Sequence, residues 1–357
     1  IDAGTSRILS YTLQVNHGTE YKDPDFRKRH GYVIKWRVIP LDFGEYAGQR
    51  VFDVEEALRP GAPLVNEYHG QNYFDYSGYD HQKVRLGDVE RAFQEADHVI
   101  EERYQMSPIE HAPVETGGCI AVPDTDGRYT CYTSTQALFF SLENVALILQ
   151  MPVNKLHFVG GTVGGGFGGK NDTVVEPLAI LGSVLTNKPV RFAFTRAEEM
   201  QVSSPRGAER FYVKDGIMDD GRIIARQVRL YFDAGAYSRL SPYGVVKCAA
   251  HMPGPYTIPN VSINGYCVYT NRTPSSSMRG FGVTGSDFAL EVQMDKLARL
   301  VGMDPMEFRI LNAYRDGDMK AHHRKTEGAA LVECVQAAAD LANWPIAAEY
   351  RAMSSKS

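Results

Sequence analysis

Apolar and polar positions alternate through the middle of this chain and fall into helical spacing toward its end. From about Tyr104 to about Tyr269, the stretches GRYTCYTST, NKLHFVGG, KPVRFAFTR, ERFYVKDG, GRIIARQVRLYFDAG and VSINGYCVYT read as strands, rich in β-branched and aromatic residues. Asp220-Gly221, between two of them, predicts a tight hairpin. Ahead of this region, VERAFQEA has helical periodicity and passes into the alternation HVIEERY. Val174, Leu178, Leu181 and Leu185 fall at spacings of four, three and four, which predicts a helix with one apolar face. Leu290, Met294, Leu297 and Val301 repeat that spacing, with Gly302 as the C′ residue. Asp304 as N-cap, Pro305 at N1 and Glu307 at N3 then open another helix. Residues 1 to about 65 are irregular: KDPDFRKRHG reads as loop, YVIKWRVIPL as a strand and VFDVEEAL as a short helix. The terminal RAMSSKS is expected to be disordered. No internal repeat occurs, and an alternating βαβαβ series is absent, so the class is α+β.

Composition narrows the function. With 357 residues, 43% hydrophobic and 23% charged, the chain is globular and long enough for two or three domains. A net charge of −5 without any Lys/Arg-rich block gives no support to nucleic-acid or anionic-membrane binding. The longest apolar runs, such as VALILQM, are too short to span a bilayer. Cys119, Cys131, Cys248, Cys267 and Cys334 are scattered, so neither structural zinc nor a Cys-ligated iron–sulfur centre is expected on this chain. An odd number of dispersed cysteines suits a reducing compartment, and the cytoplasm is expected.

Residues 160–171 read GGTVGGGFGGKN, seven glycines in twelve positions around Phe167. Glycine suits backbone that approaches another group closely or takes φ > 0, at an entropic cost. Strand, glycine loop and helix in this order are the setting for a nest of backbone N–H groups. Gly164-x-Gly166-x-x-Gly169 satisfies the dinucleotide pattern GxGxxG, but no acidic residue follows at the end of a second strand. Gly164, Gly169 and Lys170 satisfy most of a phosphate loop, but Asn171 stands where Ser or Thr would ligate Mg²⁺. A plain turn between strand and helix needs fewer glycines.

VGGGFGGK occurs together with STQ at Ser134–Gln136, GPYTIPN at Gly254–Asn260 and MRGFG at Met278–Gly282. In this order, with IEHAPVETGGCIAV before them and LVGMDPMEFRILN after, they resemble the molybdopterin-binding large subunit of the molybdenum hydroxylases, the xanthine dehydrogenase and aldehyde oxidase family. The resemblance runs from about Tyr104 to about Asn343 and is weak before about Val51. It implies a mixed-sheet molybdopterin-binding domain over residues 66–345, a partial or diverged α/β-hammerhead-like region over 1–65 and a tail over 346–357.

The same resemblance implies roles. Gly165, Gly166, Phe167, Gly168, Gln136, Arg279 and Gly280 match cofactor-contacting positions, with molybdenum held by the pterin dithiolene and no direct protein ligand. Gln136 matches a glutamine whose amide donates to an oxo group on the metal. Arg279 matches an arginine that stabilises anionic oxygen, and these two are the catalytic candidates. Phe167 and Phe281 match aromatic positions around the substrate, and Asn171 and Lys247 complete that set. Xanthine-type enzymes carry glutamate where Asn171 stands and arginine where Lys247 stands, so xanthine itself is disfavoured, while Lys247 suits a carboxylate or an enolate oxygen.

No GVGE-type motif, which carries the family's catalytic glutamate, occurs in the sequence. The arrangement resembles the split form of bacterial nicotinate dehydrogenase. It implies a glutamate on a second molybdopterin subunit, 2Fe-2S and FAD on further subunits, and the cytosine dinucleotide form of the cofactor. The implied reaction is hydroxylation of an N-heteroaromatic ring, nicotinate- or purine-like, with oxygen from water. Aldehyde oxidation is the alternative within the family; a nucleotide-binding protein or a non-catalytic scaffold is the alternative outside it.

Overall fold

The computed structural model of the chain describes residues 50–65 and 70–356. KDPDFRKRHG and YVIKWRVIPL, and with them most of the expected hammerhead-like region, lie outside these residues. In chain order the elements are α1 (Val54–Ala57), β1 (Gln82–Leu86), α2 (Val89–Glu95), β2 (His98–Met106), β3 (Gly118–Pro123) and β4 (Tyr129–Thr133). They continue with α3 (Leu138–Leu149), β5 (Leu156–Gly160), α4 (Glu176–Thr186), β6 (Val190–Ala193), α5 (Arg196–Val202), β7 (Glu209–Ile217) and β8 (Ile223–Gly235). The last are α6 (Ser241–His251), β9 (Asn260–Tyr269), α7 (Val283–Leu300), α8 (Pro305–Asn312), α9 (Leu331–Ala342) and α10 (Ala348–Arg351). Among the described residues no helix is long and apolar enough to cross a membrane.

Two compact units divide the described residues, one from Glu110–Ser204 and the other from Val51–Ile109 with residues 205–356. Both are built on mixed sheets, in keeping with the α+β class. In the smaller unit the strand order is β5-β4-β3-β6, with β4 and β5 parallel and the other pairs antiparallel. Parallel neighbours cannot be joined by a hairpin, so the chain crosses between them through α3. Cys119, Ala121 and Cys131 point into the core with Val145 and Leu149 of α3 and Ala179 and Ile180 of α4. The alternate positions Ile120 and Tyr132 are exposed, as the two-residue period of a strand requires.

The larger unit has strand order β1-β9-β8-β7-β2, again with one parallel pair, β8 and β9, joined through α6. The β7–β8 hairpin closes where the sequence predicts: Met218 N donates to Arg222 O at 3.0 Å, and Gly221 takes φ +88° in the turn. Phe211, Val228 and Leu230 of the sheet pack with Val245 and Cys248 of α6 and Leu290, Met294 and Leu297 of α7. Each such large apolar side chain contributes about 1.5–3 kcal/mol by burial. Inside this core Arg226 and Asp215, both fully buried, form a two-bond ion pair at 2.7 and 3.1 Å.

Several expectations need correction. Helices α3, α6 and α9 do not emerge from the hydrophobic pattern. Helix α4 forms as predicted, but it buries Ala179, Ile180, Leu181 and Ser183 while Leu178 and Leu185 are exposed, so the leucine stripe mostly faces outward. At α8, Asp304 caps the N–H groups of Met306 and Glu307, but the Glu307 carboxylate accepts from Ala347 N instead of closing the box. Residues 351–356 of the tail are held against the fold. Ser355 is fully buried; its Oγ accepts from Val332 N at 3.1 Å, and its backbone oxygen accepts from Asp316 N at 2.9 Å. The Ser355 hydroxyl thus satisfies one of the open N–H groups of α9's first turn.

Candidate functional site

In open mixed sheets, ligands sit outside the carboxyl ends of parallel strands. The candidate site residues lie at such ends or in the segments leaving them. In the smaller unit Gln136 comes three residues after β4, and the glycine loop leaves the end of the parallel neighbour β5. In the larger unit Lys247 lies on the helix that comes after β8, and MRGFG lies between the parallel neighbour β9 and α7.

Gln136 is fastened to the glycine loop by its side-chain oxygen. Oε1 accepts from Gly168 N at 2.9 Å and from Lys170 N at 3.3 Å. Two backbone donors on one end of an amide fix that end as oxygen, so Nε2 is the outward-facing donor. Among the described residues Nε2 makes no hydrogen bond, and neither do the N–H groups of Gly165, Gly166 and Phe167. Three unspent donors on the loop and a fourth on the side chain bonded to it therefore form a donor set of the kind that oxygen ligands of a bound group require.

The loop's glycines have a packing reason as well. A Cβ on Gly166 would stand 2.4 Å from Gln136 Oε1, and Gly168 takes φ +101°. Phe167 between them is at φ +52° with 47% of its surface exposed, so it is not a core aromatic. Asn171 closes the short 3₁₀ turn Gly169–Asn171, its N–H donating to Gly168 O at 3.2 Å.

Lys170 is buried. Its Nζ meets Glu115 Oε2 at 2.6 Å and Ser134 Oγ at 2.9 Å, and Glu115 Oε2 also accepts from Ser134 Oγ and from Gly164 N. Hydrogen bonds from Lys170 and Ser134 hold the Glu115 carboxyl down at about 2. A lysine spent in this way is withheld from any phosphate, which removes the phosphate-loop reading. The cluster ties the glycine loop to the strand end carrying STQ. Sequence reasoning missed it, although its parts, GGK and STQ, were both in view.

In the larger unit the Arg279–Gly282 turn is closed by Phe281 N donating to Met278 O at 2.6 Å. Phe281 is at φ +48° and Gly280 at +89°, and the exposed Arg279 guanidinium makes no ion pair among the described residues. Lys247 lies on the exposed face of α6, with Nζ 5.2 Å from the centroid of the Phe281 ring, within cation–π range. It likewise has no acidic partner among the described residues. The Phe281 ring lies against α6 at Gly244, where an added Cβ would be 3.5 Å from the ring, an ordinary van der Waals contact. Two further residues beneath this turn escaped sequence reasoning. Arg206, buried, donates through Nη2 to the carbonyl of Arg279, and Glu209, also buried, lies under α7. Among the described residues no group of three or more His, Cys, Asp and Glu side chains could hold a metal ion.

Comparison with known proteins decides the family. The molybdopterin cofactor-binding domain profile matches residues 67–313. The chain belongs to the molybdopterin-binding subunits of the molybdenum hydroxylases. It is similar to the nicotinate dehydrogenase large molybdopterin subunit of Eubacterium barkeri, 34% identical over 305 residues, covering 85% of this chain and 70% of that one. It is 35% identical over 292 residues to a probable xanthine dehydrogenase subunit of Bacillus subtilis, covering 81% of this chain and 38% of the relative. Among solved structures, the aldehyde oxidoreductase of Desulfovibrio gigas matches with TM-score 0.75 and 27% identity, over 84% of this chain and 33% of that one. The chain thus spans most of the first of these relatives but well under half of the other two. As a molybdopterin-binding chain, it has in the Gln136 loop a donor set of the right chemistry for the cofactor's oxygen ligands.

Proposed function

We propose that this chain supplies one wall of a molybdenum hydroxylase site that acts on a carboxylated N-heteroaromatic ring. The observation that carries the substrate class is Lys247, an exposed cation above the Phe281 ring without an acidic partner among the described residues. Similarity to a protein named nicotinate dehydrogenase, over 70% of that protein's length, supports the same reading.

When bound, the molybdenum cofactor supplies a water-derived oxygen and accepts two electrons. The chain's own residues orient and stabilise. Gln136 Nε2 and the amides of Gly165, Gly166 and Phe167 donate hydrogen bonds to oxygen ligands without adding charge. The Arg279 guanidinium stabilises anionic oxygen as it develops. In the smaller unit Phe167 offers a ring that excludes water and Asn171 a neutral amide; in the larger unit the Phe281 ring stacks on the substrate and Lys247 binds its carboxylate. A partner chain supplies the glutamate that takes up the proton, and further subunits carry 2Fe-2S and FAD. The cofactor is in the cytosine dinucleotide form, and the complex works in the cytoplasm.

The test is Lys247→Met in the assembled complex. Removing one partner of a desolvated ion pair commonly costs about 2–5 kcal/mol, so KM for nicotinate should rise roughly 30-fold or more. An uncharged heterocycle should be little affected. Equal effects on both, or a wild-type preference for aldehydes, would move the reading to the aldehyde branch.

A further inference from the structure

Beneath the Arg279–Gly282 turn lie two buried groups that the proposed chemistry does not use. Arg206 is 4% exposed and Glu209 2%. The backbone of Arg206 is fixed by an exchange of hydrogen bonds with Ile109, its N–H donating at 2.9 Å and its oxygen accepting at 3.3 Å. Its Nη2 donates to the carbonyl of Arg279 and, at 3.3 Å, to Thr284 Oγ1, which itself donates to the same carbonyl at 3.0 Å. The carbonyl of Arg279 is thereby the anchor of the turn. Arg206 Nε makes no hydrogen bond among the described residues, and neither Oε1 nor Oε2 of Glu209 has a partner.

Glu209 opens β7, paired with Met106 on β2 and Phe232 on β8, neither of which titrates. Above it is Gly285 in the first turn of α7; an ideal Cβ on Gly285 would lie 1.5 Å from Glu209 Oε2. From α6 the facing titratable group is Cys248, whose thiol burial keeps protonated. Arg206 is the charged group that acts on the Glu209 carboxyl. A buried carboxylate without a donor is costly, so an ionised Glu209 is drawn to the cation that acts on it, whose buried Nε is unspent: Arg206.

We propose that Arg206 is the positioning residue of the Arg279–Gly282 turn, and that the proton on Glu209 governs how firmly it holds. With Glu209 neutral, Nη2 stays on the Arg279 carbonyl and the turn is fixed. With Glu209 ionised, the guanidinium is pulled toward the carboxylate, the carbonyl loses its buried donor, and the turn carrying Arg279 and Phe281 loosens. Burial supports the assignment, pushing the carboxyl up to about 8 against the pull of Arg206. The transition then falls in a range where enzymes work.

The test is amide hydrogen exchange of the segment around residues 278–285 in the purified complex, at about pH 6 and about pH 9, corrected for intrinsic base catalysis. With the Glu209 carboxyl at about 8, the group goes from about 1% ionised at about pH 6 to about 90% at about pH 9, so the loosened turn should predominate at the higher pH and exchange several-fold faster there. Glu209→Gln, a neutral near-isostere, should keep the turn protected at both. Arg206→Met should expose it at both, and Arg206→Lys, which keeps a donor, should restore part of the protection. A wild-type turn indifferent to pH, a pH effect that survives Glu209→Gln, or full protection in Arg206→Met would each overturn the proposal. If Arg206→Met does not fold, the Glu209→Gln comparison decides alone. The readout needs neither molybdenum nor turnover, so its failure is distinguishable from failure of the proposed function.

Discussion

Gln136 can be tested so that its structural and chemical roles separate. Its oxygen holds the glycine loop through Gly168 N and Lys170 N, while its nitrogen is the outward donor. Gln136→Ala removes both. Leaving two loop amides without their acceptor should cost about 1–3 kcal/mol of stability, and the lost donor should lower kcat. Gln136→Glu keeps an oxygen of nearly the same geometry for both amides and removes only the donor, placing a negative charge where oxygen ligands must sit. It should therefore match the wild type in denaturant unfolding while kcat falls roughly 10²–10³-fold, the usual loss for one preorganised electrostatic contact. The assay is steady-state turnover of the complex, normalised to molybdenum content, alongside urea midpoints of both variants. Wild-type turnover by Gln136→Glu with normal molybdenum would refute the chemical role. Equal destabilisation by the two variants would refute the argument that the oxygen, not the nitrogen, holds the loop.

Three other outcomes are expected. Arg279→Ala should lower kcat on a similar roughly 10²–10³-fold scale while leaving unfolding midpoints unchanged, since its side chain is exposed and makes no ion pair among the described residues; unchanged turnover at normal molybdenum content would contradict it. Glu209 is raised from 4.5 to about 8, so its stabilising contribution is complete below about 4.5 and is lost as pH rises through about 8. At 1.36 kcal/mol per pH unit the gap corresponds to about 5 kcal/mol at most, so the stability of Glu209→Gln relative to wild type should climb by a few kcal/mol between pH 5 and 9; parallel profiles would contradict this. Glu115 is lowered from 4.5 to about 2, so its contribution is present above about 4.5 and lost as pH falls through about 2. Lys170→Met should flatten that acid limb, read from denaturation midpoints at pH 3 and 5, though the part-exposed Glu115 makes the effect modest.

The strands were legible because a half-buried strand writes its two-residue period directly into the sequence, as in ERFYVKDG and VSINGYCVYT. The crossover helices were not. Helix α3 is apolar nearly all round, leaving Phe139 76% and Leu147 67% exposed, so no face stands out in its sequence. Helix α6 contains the β-branched pair Val245-Val246 and Gly244, a local preference that tertiary packing overrides. The short motifs located the site by resemblance, but not what supports it. Lys170 and Glu115 are 55 residues apart, Arg206 and Arg279 are 73 apart, and pairings over such distances leave no local pattern.

Phe167 and Phe281 share an unusual backbone. A non-glycine residue in the left-handed region costs roughly 1–2 kcal/mol, and glycine would relieve it. In return, the half-exposed ring of Phe167 gives the folded chain little burial. A library of this chain selected only for resistance to unfolding should therefore drift to glycine at position 167 long before it touches Leu290 or Phe211. A library selected for turnover should not. Divergence of the two at that single position would measure how much foldedness this chain gives up to present a ring to something outside itself.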